Sequence, residues 1–209
     1  MNPQVAPDHY AGSSYDSKER FISYWYQINE IFLLQPSRLL EIGIGNRFVS
    51  RYLKDHNQDI TTLDIDYRLM PDVVGSVLSI PFRDKYFDTV TCCEILEHLP
   101  YSEFLNSLRE INRVTKKHVI LSLPDITTVY RFLIELPRFR TIKKSIQHPF
   151  HRSAEHIFDG QHYWEIGKTG FSYKNILLDI YKADFRILKT YRIWEFMYHR
   201  FFILSKINN

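Results

Sequence analysis

The feature that most constrains this chain is an alternation. Short apolar runs of strand length are separated by segments in which apolar residues recur every three or four positions. Arg38 to Ile42, Ile60 to Ile65, Val73 and Val74, Phe87 to Cys93 and His118 to Leu123 read as strands. Between them, Phe48, Val49, Tyr52 and Leu53, and later Phe104, Leu105, Leu108 and Ile111, mark the inward faces of helices. Parallel strands need crossover connections of roughly a dozen residues, usually helical, and a parallel sheet is covered on both faces. The pattern therefore predicts an α/β fold with helices on both faces of one sheet.

The ends of the chain extend this reading. Phe21, Trp25, Ile28 and Phe32 predict an amphipathic helix from about Ser17 to Leu34, stopped by Pro36. A second helix around Tyr173 to Ala183 precedes two β-rich runs, Phe185 to Ile193 and Phe196 to Ile207, separated only by Trp194 and Glu195. So short a link cannot hold a crossover helix, so these strands form an antiparallel hairpin at one edge of the sheet. The sum is a seven-stranded, mostly parallel sheet with an antiparallel C-terminal strand.

Composition narrows the class. The chain has 209 residues, 44% of them apolar, which is enough for one sizeable core. It reads as a single domain over 1–209: a leader and helix (1–35), a first α/β half (36–124), an insertion (125–170) and a C-terminal helix with hairpin (171–209). The two cysteines, Cys92 and Cys93, are adjacent. They suit neither a disulfide framework nor a zinc site with the histidines, so no metal is expected. They read as small apolar residues at a strand end. A net charge of +3 does not point to nucleic acid. The polar start lacks a signal-peptide pattern, and no apolar run nears the roughly 20 residues of a membrane span, so a cytoplasmic protein is expected.

The most informative segment is Leu39-Leu40-Glu41-Ile42-Gly43-Ile44-Gly45-Asn46, a buried strand running into two glycines and a helix. In an open parallel sheet ligands bind at the carboxyl ends of strands, and Gly43 and Gly45 admit close approach to the backbone there. The third glycine of the dinucleotide fingerprint is replaced by Phe48, which disfavours a diphosphate cofactor and hence a nicotinamide-dependent oxidoreductase. Glu41 repels phosphate and attracts a cation such as an ammonium. Asp64 ends the second strand, where a carboxylate accepts both hydroxyl hydrogen bonds of a ribose. Asp66 reads instead as a helix cap.

These residues resemble the class I S-adenosylmethionine-dependent methyltransferases, specifically the small-molecule group with a type 11 domain. Leu40-Glu41-Ile42-Gly43-Ile44-Gly45 is similar to the family's glycine-rich first motif, and Leu63-Asp64-Ile65-Asp66 to its ribose-binding strand end. Ile80-Pro81-Phe82, Phe87-Asp88-Thr89-Val90 and Leu96-Glu97-His98-Leu99 follow in the family's order. The resemblance covers about Leu39 to Pro124. It implies a Rossmann-like methyltransferase fold with S-adenosylmethionine as cofactor. Glu41 is then placed near the methionine amino group, Gly43 and Gly45 against the cofactor, Asp64 on the ribose, and Ile65 on adenine. Ser76, beside Val77, stands where the family often has an acid binding the adenine amino group.

Glu94, at the end of the fourth strand, is expected to line the site near the transferred methyl. His98 is a candidate base or a residue that only packs a turn, and His162 is a further catalytic candidate. The cluster from Glu155 to Gly167 mixes polar and aromatic residues in a way that suits a glycan or other polyol acceptor, although His162 and Trp164 equally suit a core. The insertion reads as partly helical. It carries Arg131, Arg138, Arg140, Lys143, Lys144 and Arg152 against Glu135 alone. This is either a solvated face or a cover that attracts an anionic acceptor or rests peripherally on an anionic membrane. The expected activity is methyl transfer to a small-molecule or saccharide-type acceptor, at oxygen. A binding or scaffold protein without turnover is the alternative.

Overall fold

The computed structural model describes residues 3–12, 15–135, 141–148 and 153–207. Helix α1 (Lys18–Leu34) starts where Ser17 Oγ accepts the Arg20 amide, and it ends at Gln35 in the left-handed conformation, ahead of Pro36. Strand β1 (Leu39–Ile42), helix α2 (Phe48–Asp55) and strand β2 (Ile60–Asp64) follow as the expected βαβ unit. Next come β3 (Val73–Val74), β4 (Phe87–Cys93), α3 (Phe104–Val114) and β5 (Thr115–Pro124). An inserted pair, β6 (Val129–Ile134) and β7 (Ile142–Gln147), precedes α4 (Tyr173–Lys182), β8 (Phe185–Arg192) and β9 (His199–Lys206).

The main sheet has the order β3-β2-β1-β4-β5-β9-β8. All pairs up to β4–β5 are parallel, and β9 runs antiparallel to both of its neighbours. The period of two along each strand sorts the core into two layers. Leu40, Ile42, Val90 and Leu121 pack with Leu108 and Ile111 of α3 and Ile176 and Ile180 of α4. On the opposite face Leu39, Ile60, Ile120 and Ile203 pack with Ile28 and Ile31 of α1 and Val49 and Leu53 of α2. Helices thus cover both faces, as the sequence predicts. No helix among the described residues is long and apolar enough to cross a membrane.

Two details depart from expectation, and a third decides between two open readings. The link between β8 and β9 runs over 193–198 rather than two residues, because β8 ends at Arg192 and β9 begins at His199. The insertion is not helical where it is described: β6 and β7 form a separate antiparallel hairpin. Val129-Tyr130-Arg131-Phe132-Leu133-Ile134 is a β-branched and aromatic run whose preference for a pleated surface prevails. Of its basic residues Arg131, Lys143 and Lys144 are described, and Arg138, Arg140 and Arg152 lie outside the described residues. Lastly, Trp164 is a core residue and not a stacking platform. It is fully buried, its Nε1 donates to the Leu99 carbonyl at 3.0 Å, and its ring meets Tyr101 and Phe104 edge-on.

Trp164 therefore ties the insertion to the body of the sheet. Trp164→Ala is expected to lower stability by about 3–5 kcal/mol in urea unfolding, the usual cost of truncating a buried aromatic. A loss below about 1 kcal/mol would place the ring outside the core.

Candidate functional site

The strand order reverses beside β1, because β2 lies on one side and β4 on the other. A crevice opens outside the carboxyl ends at such a switch point. It holds a cavity of about 460 Å³, within the roughly 300–1,000 Å³ usual for small-molecule sites. The sequence-predicted residues converge on it from separate elements. Glu41, Gly43 and Gly45 come from β1 and its turn, Asp64 and Ile65 from the end of β2, and Ser76 and Val77 from the segment after β3. Glu94 and His98 follow β4, and His162 reaches in from the insertion.

Local physics explains the turn after β1. Gly43 has φ +77°, and a Cβ there would lie 1.9 Å from Ile95 Cδ1, so only glycine fits. The Asp64 carboxylate fixes the same turn: the Ile44 amide donates to Oδ2 at 2.9 Å and the Asp66 amide to Oδ1 at 2.9 Å. Asp66 caps a one-turn 3-10 helix (Tyr67–Leu69) and pairs with Arg68, as its reading as a cap requires. That division leaves Asp64 facing the cavity. Ser76 Oγ accepts the Leu78 amide at 3.2 Å.

The acids on the cavity are held in low-dielectric surroundings. Glu41 is 6% exposed and its Oε2 has no hydrogen-bond partner among the described residues. Burial pushes its carboxyl up to about 8, an effect that the Ser50 hydroxyl only partly offsets. Burial likewise raises Glu94 to about 7. Glu94 sits at φ 54°, in the left-handed region that few non-glycine residues adopt. Ser122 Oγ donates to Glu94 Oε1 at 2.7 Å, and His199 Nε2 lies 3.4 Å from Oε2, with His199 Nδ1 2.9 Å from Ser23 Oγ. Burial holds His98 down to about 4 and His199 to about 3, so both rings are neutral at pH 7. His98 is thus a weak proton acceptor there. Cys92 is buried as expected, whereas Cys93 is partly exposed and lines the cavity; burial raises both thiols.

Several lining residues escaped the sequence reading. Tyr10 and Tyr15 stand edge to face at 5.2 Å, and the Arg20 guanidinium lies 4.0 Å from the Tyr15 ring centre. They lie over the glycine turn, since a Cβ on Gly45 would come within 3.1 Å of the Tyr15 hydroxyl. No sequence signal in the polar leader marks them. Glu97 lines the cavity fully buried, and Tyr198 and His199 reach it from the β8–β9 link and the start of β9.

Glu41 gives a direct test. A carboxyl raised from the ordinary 4.5 to about 8 adds stability that is fully present below pH 4.5 and lost as pH rises through 8. In thermal unfolding, the protein should lose stability between pH 5 and pH 8, and Glu41→Gln should make that loss shallower across the same window. Parallel curves for the two proteins would refute the assignment.

Comparison with known proteins accords with this geometry. Residues 40–123 match the family model described as a methyltransferase domain. An uncharacterized protein of Methanocaldococcus jannaschii is 30% identical over 90 residues, a match covering 40% of this chain and 39% of that protein. The chain thus spans about two fifths of the curated relative it matches. A Pyrococcus horikoshii protein shares the fold at 16% identity, with a TM-score of 0.63 over 97% of both chains. An S-adenosylmethionine-dependent methyltransferase from Clostridium acetobutylicum does so at 8% identity and TM-score 0.62, covering 93% of this chain and 96% of that one. A glycopeptide N-methyltransferase, MtfA, complexed with S-adenosyl-L-homocysteine, aligns at 12% identity and TM-score 0.60, over 88% and 89%. Motifs, sheet order, switch-point cavity and family match agree: over residues 40–123 the chain is similar to a methyltransferase domain.

Proposed function

We propose that this chain is an S-adenosylmethionine-dependent methyltransferase acting on a small-molecule or saccharide-type acceptor at oxygen. The observation that carries the reading is the cavity at the ends of β1, β2 and β4, strands that all lie in the segment that matches a methyltransferase domain. Its donor set suits the cofactor. The orphaned, buried Glu41 Oε2 suits an ammonium, which would restore the ionised carboxylate that burial disfavours. Each Asp64 oxygen accepts one backbone amide and keeps a lone pair for a ribose hydroxyl. Ile65 and the buried Val77 offer apolar surface for adenine, with the Ser76 hydroxyl beside it. When bound, the sulfonium supplies an activated methyl group for in-line displacement.

Oxygen is favoured because a hydroxyl acceptor must lose its proton. Glu94, raised to about 7, is matched to accept it near neutral pH. In this reading residues 125–170 contribute the acceptor contacts, His162 among them. The hairpin's outward residues Tyr130, Phe132, Ile134, Ile142 and Ile146 are all about half exposed beside Lys144, which supports an acceptor presented at an anionic membrane surface.

Calorimetry with S-adenosylhomocysteine should show one site per chain. Asp64→Ala should weaken binding by about 1–3 kcal/mol, roughly 5- to 150-fold, with circular dichroism confirming the fold. An unchanged affinity would reject the ribose role. Radiolabelled transfer to sugars, phenols or lipids in anionic vesicles then identifies the acceptor, and cofactor binding with no transfer to any of them would favour a scaffold.

A further inference from the structure

Beside the cofactor residues, the same cavity carries a second cluster that the methyl-transfer reading does not use. Glu97 is fully buried, and neither of its carboxylate oxygens has a hydrogen-bond partner among the described residues. A buried orphan carboxylate is costly and calls for a reason, an ion being one. One ligand atom each from Glu97, His98 and His162 lie within 4.8 Å of one another. The rings of His98 and His162 meet at 4.9 Å.

The hydrogen bonds of the two imidazoles decide which nitrogens are available. His98 Nδ1 lies 3.1 Å from the Gln161 carbonyl oxygen, which can only accept, so Nδ1 carries the proton and Nε2 keeps its lone pair. His162 Nδ1 lies 3.3 Å from Glu165 Oε1, a carboxylate oxygen placed to accept the imidazole N–H. His162 Nε2 is then the free lone pair as well. Tyr198 OH donates to the same Glu165 oxygen and fixes it. A histidine whose Nδ1–H is held by a carbonyl or a carboxylate is the usual arrangement around a metal, where such partners orient the ring and strengthen the ligand.

We infer that Glu97, His98 Nε2 and His162 Nε2 form a binding site for a divalent cation on the acceptor side of the cavity. Mixed carboxylate and imidazole donors suit Mn²⁺ or Zn²⁺. Three protein ligands leave coordination positions open for oxygen atoms of an acceptor, so the site selects an acceptor with two neighbouring oxygens, as in a vicinal diol, a catechol or a hydroxy acid. Only this last consequence rests on the methyltransferase reading. The cation site itself stands on the three ligands and their supporting hydrogen bonds.

The test uses full-length protein stripped with a chelator. Titration with Mn²⁺, followed by the electron paramagnetic resonance of the free ion, should show one bound ion per chain. Glu97→Gln and His162→Ala should each weaken it at least tenfold, and Glu165→Gln, which replaces the charged acceptor behind His162 Nδ1 by a neutral one, about 10- to 100-fold. Zn²⁺ should displace Mn²⁺ from the same site. S-adenosylhomocysteine binding and circular dichroism serve as the controls, and all three variants should keep the fold and still bind S-adenosylhomocysteine; if Glu97→Gln fails to fold, the part-exposed His162 carries the test. Absence of stoichiometric Mn²⁺ or Zn²⁺ binding, or binding that all folded variants retain, overturns the cation site while leaving the cofactor reading intact. Cation binding without any affinity for S-adenosylhomocysteine upholds the site and defeats the methyltransferase reading.

Discussion

Everything at the site depends on one topological constraint: from β1 the chain adds β2 on one side and later β4 on the other. With helices of opposite faces leaving the sheet there, no crossover covers the carboxyl ends of β1 and β4, and a crevice remains. The Asp64 carboxylate then sets the shape of that crevice. By accepting amides from Ile44 and Asp66 it joins the glycine turn after β1 to the end of β2. The close packing of Ile95 on Gly43 brings the loop after β4 against the same turn. Three strand ends are thereby held in register around one cavity.

The cavity is costly in electrostatic terms, and that cost is informative. Glu41, Glu94 and Glu97 are all raised by desolvation as the leading cause, and Glu41 and Glu97 keep unpartnered oxygens. A fold concerned only with stability would replace such groups by apolar ones. Their retention along a single cavity agrees with two separate cationic guests, an ammonium at Glu41 and a metal ion at Glu97. The first is the methionine end of the proposed cofactor and the second an anchor for the proposed acceptor.

What was legible in the sequence was local. The strand Leu39 to Ile42 with its glycine turn, the span of α1 ahead of Pro36 and the cap at Asp66 are each fixed within a few residues. The hairpin fold of the insertion was not, because Phe132, Arg131 and Lys143 fit a helix face as well as a strand until the register is known. Nor were the long-range partners. His199 meets Ser23 across 176 residues and Glu94 at the far end of β4, and only the position of β9 between β5 and β8 brings it there. Tyr10 and Tyr15 lie in a leader without periodicity, so nothing in their spacing announces that they line the cavity.

The most direct test of this account is a crystal structure with S-adenosylhomocysteine bound. The account predicts its ribose hydroxyls on Asp64, its amino group against Glu41, and its sulfur facing Glu94 and the Glu97–His98–His162 cluster. A ligand bound outside this cavity, or one lying in it with the ribose away from Asp64, would contradict it.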